Sequence, residues 1–161
     1  MKVLIVSDTH GRDYNLEEVV EKEAPFDMLV HCGDVEGREF FIEALGDGAC
    51  CIVSGNNDFF SDLPREEEIM ISGKRFLVTH GHYYAISGGN IDNIVGAARS
   101  RGCDGVIFGH IHRPIVEERN GFWAINPGSL VYPRQEGRKP SYVVLKTDCR
   151  GKIDARIEYL K

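Results

Sequence analysis

Five short polar clusters along the chain carry side chains that bind metal ions, and each directly follows an apolar run. They are Asp8-Thr9-His10, His31-Cys32-Gly33-Asp34, Gly55-Asn56-Asn57-Asp58, His80-Gly81-His82 and Gly109-His110-Ile111-His112. All six histidines of the chain lie in these clusters, and histidine is the commonest metal ligand in proteins. The shared pattern predicts one metal site to which all five clusters contribute.

Each cluster taken alone also has a structural explanation. Asp8 is a candidate helix cap, Gly33-Asp34 is typical of an ordinary turn, and Asn56-Asn57-Asp58 fits a turn because Asn and Asp tolerate the left-handed region. The two His-x-His pairs are stronger signals, since alternate residues just past a strand can converge on one centre. If there were no metal site, all five clusters would have to fall at the same strand-end position by coincidence.

The donor set limits the metal chemistry. Two carboxylates, one amide oxygen and four imidazoles exceed the four ligands of a tetrahedral zinc ion and suit two ions such as manganese, iron, nickel or zinc. Two such ions about 3.5–4 Å apart can clamp a phosphoryl group and hold a bridging hydroxide as nucleophile. The seven predicted ligands are Asp8, His10, Asp34, Asn56, His80, His110 and His112.

Short apolar runs and amphipathic segments must position these clusters. Strands are predicted over residues 3–7, 28–31 and 50–53, and helices over 14–23 and 38–45. We interpret the first third of the chain as three strand–loop–helix units, which favours parallel pairing of the strands. Ligands bind at the carboxyl ends of the strands in such open sheets.

A different arrangement is predicted after residue 65. Ser72-Gly73-Lys74 is typical of a hairpin turn between strands at 67–71 and 75–79, followed by a helix at 91–101 and a buried strand at 105–108. The last fifty residues predict antiparallel strands at 115–118, 122–125, 141–146 and 153–159. With no repeat or linker, residues 1–161 are predicted to form a single domain of mixed sheets with helices outside them.

Composition excludes several classes of protein. The chain has 161 residues, of which 42% are apolar and 27% charged, close to the norm for soluble globular proteins. A net charge of -6 argues against a broad basic face for nucleic acid or for an anionic membrane. The five cysteines contain no Cys-x-x-Cys motif and fit a reducing cytosol. We expect a cytoplasmic protein with no membrane partner and no extended nucleic-acid surface.

In their order and spacing, the clusters resemble the five motifs of the calcineurin-like metallophosphoesterases. The motifs are Asp8-x-His10, Gly33-Asp34, Gly55-Asn56, His80-Gly81-His82 and Gly109-His110-x-His112. The similarity runs from residue 3 to about residue 146, and Asn126-Pro127-Gly128-Ser129 resembles the compact YfcE-type phosphodiesterases. The resemblance implies an α/β fold, a four-layer α/β/β/α sandwich of two mixed sheets flanked by helices.

The resemblance also implies a dinuclear metal centre. Asp34 would bridge the two ions, with Asp8, His10 and His112 on the first and Asn56, His80 and His110 on the second. Manganese is the expected ion, with iron, nickel or zinc as alternatives. The implied reaction is in-line attack of a bridging hydroxide on a small phosphate ester, with a diester preferred. Two divalent ions would leave the site at about +2, which suits a phosphate despite the acidic chain.

One position departs from the family pattern. Larger members carry a histidine after the Gly-Asn pair, where it acts as a general acid, whereas this chain has Asn57. We therefore predict that the leaving group departs with help from water or from His82, and that diesters with good leaving groups are favoured. The alternative interpretation of His82 is a solvated loop residue with no role in the reaction. Asp58 either orients His10 or another ligand or stabilises a turn, and His31 is interpreted as a core histidine.

Alternative functions are retained beside the phosphodiesterase. A eukaryotic retromer subunit resembles this fold but has lost parts of the ligand set, which makes a protein-assembly scaffold one alternative. A phosphomonoesterase would use the same site, and a nuclease would need a DNA-binding module for which the chain has no room. Phe59 and Phe60 are interpreted as core residues or as an exposed lip that forms a homo-oligomer.

Overall fold

Ten strands and three helices make up the chain, and the computed structural model describes all 161 residues. The strands are β1 (Lys2–Val6), β2 (Met28–His31), β3 (Cys50–Ile52), β4 (Glu66–Ile71), β5 (Lys74–Thr79), β6 (Gly105–Phe108), β7 (Pro114–Arg119), β8 (Phe122–Pro127), β9 (Ser141–Thr147) and β10 (Ile153–Tyr159). The helices are α1 (Tyr14–Glu23), α2 (Glu39–Leu45) and α3 (Asp92–Ser100), with a short 3-10 turn at His82–Tyr84. None of the helices has the length and apolar composition that crossing a membrane requires.

The strands form two five-stranded mixed sheets. The first has the order β10-β9-β1-β2-β3 and the second the order β4-β5-β6-β8-β7. Strands β1, β2 and β3 pair in parallel, as predicted, and β5, β6 and β8 form the parallel centre of the second sheet. Parallel strands present their carboxyl ends at one edge, so each sheet offers several strand ends to a common site.

The two sheets pack face to face between outer layers of helices. Alternation along β1 sends Val3 and Ile5 into the core between the sheets, where Val78 and Ile107 of the second sheet pack. The intervening Leu4 and Val6 face α1 and α2, and Leu77 and Val106 face α3. The layers are α/β/β/α, as the resemblance implied.

One prediction about the elements is wrong. No helix follows β3, because residues 53–65 form turns and a loop that leads to β4 at the edge of the other sheet. The segment lacks a helical apolar stripe, and Phe59 and Phe60 are exposed rather than buried in the core. The antiparallel pairs predicted for the last fifty residues are confirmed, β7 with β8 and β9 with β10, and β8 also pairs in parallel with β6.

A partly buried polar network joins α1 to the first sheet and predicts a pH-dependent stability. Glu23 accepts a hydrogen bond from the Tyr142 hydroxyl (2.8 Å) and lies 3.0 Å from Lys2 Nζ. Burial raises the pKa of Glu23, but the hydrogen bonds from Lys2 and Tyr142 outweigh it, so the net pKa is lowered. A lowered pKa means that the stabilisation is present above the unfolded value of about 4.3 and is lost as the pH falls through the folded value.

Glu23→Gln should therefore lower the free energy of unfolding by about 1–2 kcal/mol at pH 7, and the deficit should shrink as the pH falls below about 4.3. Urea unfolding at pH 7 and at pH 3 measures both values. Glu21→Gln, at an exposed position of the same helix, is the matched control. A deficit that is equal at the two pH values would show that the carboxylate charge is not what stabilises this contact.

Candidate metal centre

All five predicted clusters meet at one edge of the sandwich. Asp8 follows β1, Asp34 follows β2 and Asn56 follows β3 at the end of the first sheet, while His80 follows β5 and the 110–112 segment follows β6. The carboxyl ends of both sheets lie side by side. Of the predicted ligands, Asp8 and His80 are fully buried, and Asp34 and His112 are nearly so.

The seven predicted ligands form one continuous network of close contacts. His112 Nε2 lies 2.9 Å from Asp8 Oδ1, and Asp34 Oδ2 lies 3.7 Å from His10 Nε2 and 3.6 Å from His80 Nε2. Asn56 Oδ1 lies 3.0 Å from both His80 Nε2 and His110 Nδ1. Two groups have the spacing of a metal site, namely Asp8 with His10 and His112, and Asp8 with Asp34 and His80.

The hydrogen bonds behind the ligands fix which histidine nitrogen faces the centre. His80 Nδ1 donates to the carbonyl of Cys32 (2.7 Å), and His112 Nδ1 donates to the carbonyl of Tyr132 (2.8 Å). A carbonyl only accepts, so in the neutral ring Nε2 carries the free lone pair. In that neutral ring, the lone pairs of His80 Nε2 and Asn56 Oδ1 face each other across 3.0 Å, an arrangement that a cation between them would satisfy.

A buried atom without a partner points to the same cation. His10 Nε2 has no hydrogen-bond partner, and such an atom is costly unless something binds it. Burial raises the pKa of Asp8, but the hydrogen bond with His112 and the charges of His80 and His112 lower it to about 2. Asp8 is thus an ionised carboxylate in a site where positive charge is required, and the donor set fits a divalent metal ion.

Five of the seven predicted ligands have backbone conformations that are rare for residues other than glycine. The φ angles of Asp8, His10, Asp34, His110 and His112 lie between 47° and 69°, in the left-handed region. Each such residue costs on the order of 1–3 kcal/mol and persists where the surrounding structure holds it. The strain lies at the strand ends, where it aims successive ligands at one centre.

Comparison with known proteins agrees with this geometry. A family model described as the calcineurin-like phosphoesterase superfamily domain matches residues 1–150. The chain belongs to this superfamily. The probable metallophosphoesterase YsnB of Bacillus subtilis is 36% identical over 148 residues, which cover 90% of this chain and 83% of YsnB. The phosphodiesterase YfcE of Escherichia coli is 25% identical over 172 residues, which cover 92% of this chain and 89% of YfcE. Both relatives support the YfcE-type resemblance.

A solved structure extends the similarity to a second kind of protein. The fold matches Vps29 from Entamoeba histolytica with a TM-score of 0.80 at 20% identity, and the match covers 100% of both chains. At this identity the similarity concerns the fold alone. The calcineurin-like fold is thus shared by proteins described as phosphoesterases and by Vps29.

Two further residues organise the candidate site. Asp58 stabilises a turn, which is the second of its two predicted roles, and does not orient His10. Its carboxylate accepts backbone N–H groups of Asp34 (2.8 Å), Glu36 (2.7 Å) and Gly55 (2.7 Å), so it holds the loops after β2 and β3 together. The partner of His10 is Glu36, whose carboxylate lies 2.7 Å from His10 Nδ1. An acid two residues after a ligand is too common a pattern to identify this contact from the sequence.

The turn after β8 contributes side chains as well as backbone groups. Asn126 Nδ2 donates to the carbonyl of Gly109 (2.8 Å), and Ser129 Oγ donates to the carbonyl of Asp8 (2.9 Å). Both side chains are buried. The side chains of this motif therefore connect the loops that carry Asp8 and His110.

Three residues beside the ligands have distinct environments. Asn57 donates from its backbone to Asp34 Oδ1 (2.9 Å) and from Nδ2 to Asp34 Oδ2 (2.8 Å). His82 lies beside the network, with its ring centroid 5.4 Å from that of His80, and burial together with the charges of His80 and His110 lowers its pKa to about 4. His31 is a core histidine, as interpreted, because it is buried and both ring nitrogens have hydrogen-bond partners.

The Glu36 contact predicts an effect on metal affinity without a change in any ligand. Glu36→Ala should weaken binding of Mn²⁺ by about 10–100-fold, since carboxylates behind a ligating histidine fix its tautomer and orientation. Isothermal titration of metal-free protein measures the affinity. Glu36→Gln, which keeps an acceptor oxygen, should lose less, and Glu39→Ala is the control on the same surface. Equal affinities for Glu36→Ala and Glu39→Ala would show that Glu36 does not support the site.

Proposed function

We propose that this chain is a metal-dependent phosphodiesterase with a dinuclear centre. The observation that carries the proposal is the network of seven donors, four of them buried, in which His112 Nε2 lies 2.9 Å from Asp8 Oδ1 and His80 Nε2 lies 3.6 Å from Asp34 Oδ2. The superfamily membership and the relatives described as metallophosphoesterases and phosphodiesterases support it. The coarser conclusion, a hydrolase of phosphoric esters that requires a metal, rests on the same findings.

In this proposal Asp8, His10 and His112 hold one ion, Asn56, His80 and His110 hold the other, and Asp34 serves both. When bound, two divalent ions supply a hydroxide nucleophile at neutral pH and neutralise charge on the phosphoryl group. The chain's own contribution is to position the donors. Asn57 restrains both oxygens of Asp34, and Cys32 and Tyr132 hold the rings of His80 and His112 through their backbone carbonyls.

The test is a metal panel on metal-free protein. Removal of metals with a chelator should abolish hydrolysis of bis(p-nitrophenyl) phosphate, and Mn²⁺ should restore it, with Fe²⁺, Ni²⁺ and Zn²⁺ as the comparison. The diester should be hydrolysed with a higher kcat/KM than p-nitrophenyl phosphate. A protein that stays inert with every ion would overturn the enzyme proposal, and a preference for the monoester would overturn the assignment as a diesterase.

Asn57 leads to a prediction about leaving groups. Asn57 donates to Asp34 and has no acidic proton for a departing alkoxide, while general acid catalysis contributes about 10²–10⁴-fold where it operates. We expect kcat for an aryl diester to exceed that for a dialkyl diester by more than about 10²-fold. His82→Asn should reduce the alkyl rate more than the aryl rate if His82 supplies the proton. Similar rates for the two diesters would contradict the prediction.

A non-catalytic assembly role is the second candidate. The similarity to Vps29 over both whole chains favours it, together with exposed aromatic side chains at Phe40, Phe59 and Phe60. In this case the protein would be inert with all metals and would self-associate or bind a partner through the aromatic lip. Sedimentation of wild type and Phe60→Ser decides on self-association: a mass that falls on substitution supports a homo-oligomer through this lip, and an unchanged mass excludes it.

A further inference from the structure

A basic cleft opens directly beside the candidate metal centre. It has a volume of about 600 Å³, and its lining contains no acidic side chain. His10 and His112 form one wall, and the remaining lining consists of Arg113, Tyr132, Pro133, Arg134 and Arg138. The proposed ligands of the first ion thus share a cavity with three arginines.

The three arginines have no carboxylate partner. Five other arginines of the chain each lie within 4.0 Å of an acid, whereas Arg113, Arg134 and Arg138 do not. Arg12 adds further positive charge, since its guanidinium lies 5.3 Å from the centre of the Tyr132 ring. In a chain of net charge -6, a cavity that gathers unpaired arginines is a site for an external anion.

The loop that carries two of these arginines is tied to a metal ligand. Tyr132 accepts the His112 Nδ1 hydrogen bond through its carbonyl, and the backbone N–H of Arg134 donates to the carbonyl of His112 (2.9 Å). Arg138 has a φ of 44° and donates its backbone N–H to Gln135 (3.1 Å), so it sits in a tight turn. The backbone at Arg134 is therefore held at a defined position relative to His112.

Another flank of the centre has the reverse charge. A second cleft of about 470 Å³ is lined by Glu36, Glu39 and Asp58 together with Phe59 and Phe60. An anionic group next to the scissile phosphate would be attracted to the arginine side and repelled from this flank. Because the two clefts differ in charge, a charged substrate would bind in a single orientation.

We propose that the arginine cleft binds a second phosphoryl group of the substrate. The substrate class is then a small phosphodiester that carries a further phosphate monoester, as in a nucleoside diester with a phosphate elsewhere on the sugar. Guanidinium groups match phosphate oxygens in bidentate geometry. The inference rests on the proposed function for the scissile bond, but the binding of the second phosphate does not depend on turnover.

The experiment uses two substrates that differ by one phosphate. Thymidine 5′-(p-nitrophenyl phosphate) is compared with the same compound bearing a 3′-phosphate, because both release p-nitrophenolate. Wild type with Mn²⁺ should show a kcat/KM about 10–100-fold higher for the 3′-phosphorylated compound, and the preference should fall with added salt because the arginines are exposed. The triple variant Arg113→Gln, Arg134→Gln, Arg138→Gln should bring the ratio close to one.

A matched control separates local recognition from net charge. Arg119→Gln, Arg150→Gln, Arg156→Gln removes the same three charges from exposed positions outside the cleft and should keep the wild-type ratio. If the control lowers the ratio as much as the cleft variant, the preference comes from net charge and the inference fails. Equal kcat/KM values for the two substrates on active wild type would also overturn it, and would leave the proposed function standing.

A binding measurement decides the inference independently of catalysis. Thymidine 3′,5′-bisphosphate is titrated in excess chelator into wild type, the cleft variant and the control. Binding at least about tenfold tighter to wild type and control than to the cleft variant supports the site. Equal binding to all three overturns it. Absence of hydrolysis of either substrate would instead overturn the proposed function, while this titration still tests the cleft.

Discussion

Asp34→Asn should reduce the hydrolysis of bis(p-nitrophenyl) phosphate at saturating Mn²⁺ by at least about 10³-fold, because in the proposed centre it removes a charge worth several kcal/mol beside the two ions. Asp34 is buried, and its Oδ2 lies within 3.7 Å of both His10 Nε2 and His80 Nε2. Both of its oxygens also accept hydrogen bonds from Asn57. An asparagine would place its NH₂ group against one of these two donors, so the substituted side chain cannot keep both bonds.

Two controls make this expectation specific. Asp154→Asn is the same substitution at an exposed position of β10, at the end of the sheet opposite to the site, and should retain wild-type rates. Thermal unfolding in chelator should show little loss of stability for Asp34→Asn, in contrast to its large loss of rate. The reason is that the substitution removes one of two buried like charges. Retention of more than about a tenth of the rate would exclude Asp34 from the proposed centre.

The location of the site could be predicted from the sequence because strand periodicity and strand-end chemistry are local properties. Val3, Ile5 and Val30 show buried strands directly, and the polar clusters begin where these strands end. Parallel pairing then brings the clusters to a common edge. All seven predicted ligands lie in one network for this reason.

The supporting contacts could not be predicted because they join residues that are distant in the chain and individually ordinary. Glu36 and Asp58 lie in loops that contain other acids, and their roles depend on how the loops after β2 and β3 cross. The path of residues 53–65 from one sheet to the other depends on the packing of the two sheets. Likewise, the parallel pairing of β8 with β6 follows from which strands meet in the second sheet.

The packing behind the predicted ligands leaves room only for glycine at position 109. A larger residue at this position has the second large expected effect. A Cβ atom at Gly109 would lie 2.1 Å from Ser7 Oγ and 3.0 Å from Asp8 Oδ2. Ser7 donates to Asp8 through a 2.6 Å hydrogen bond, so a displaced Ser7 moves the proposed ligand. Gly109→Ala should lower kcat/KM by at least about 10²-fold, the effect expected of a misplacement near 1 Å, and should destabilise the fold by about 1–3 kcal/mol.

The obstructing atom belongs to a side chain, which allows a rescue experiment. In Ser7→Ala, Gly109→Ala the worst contact is absent, so the double variant should be more active and more stable than Gly109→Ala alone, a coupling that a double-mutant cycle measures. Gly96→Ala in α3, where a Cβ meets no atom within 4 Å, should keep its activity and gain about 0.5–1 kcal/mol of stability. If Ser7→Ala gives no rescue, the loss in Gly109→Ala does not arise from pressure on the residue that holds Asp8. The proposed dependence of the metal centre on this close approach would then be wrong.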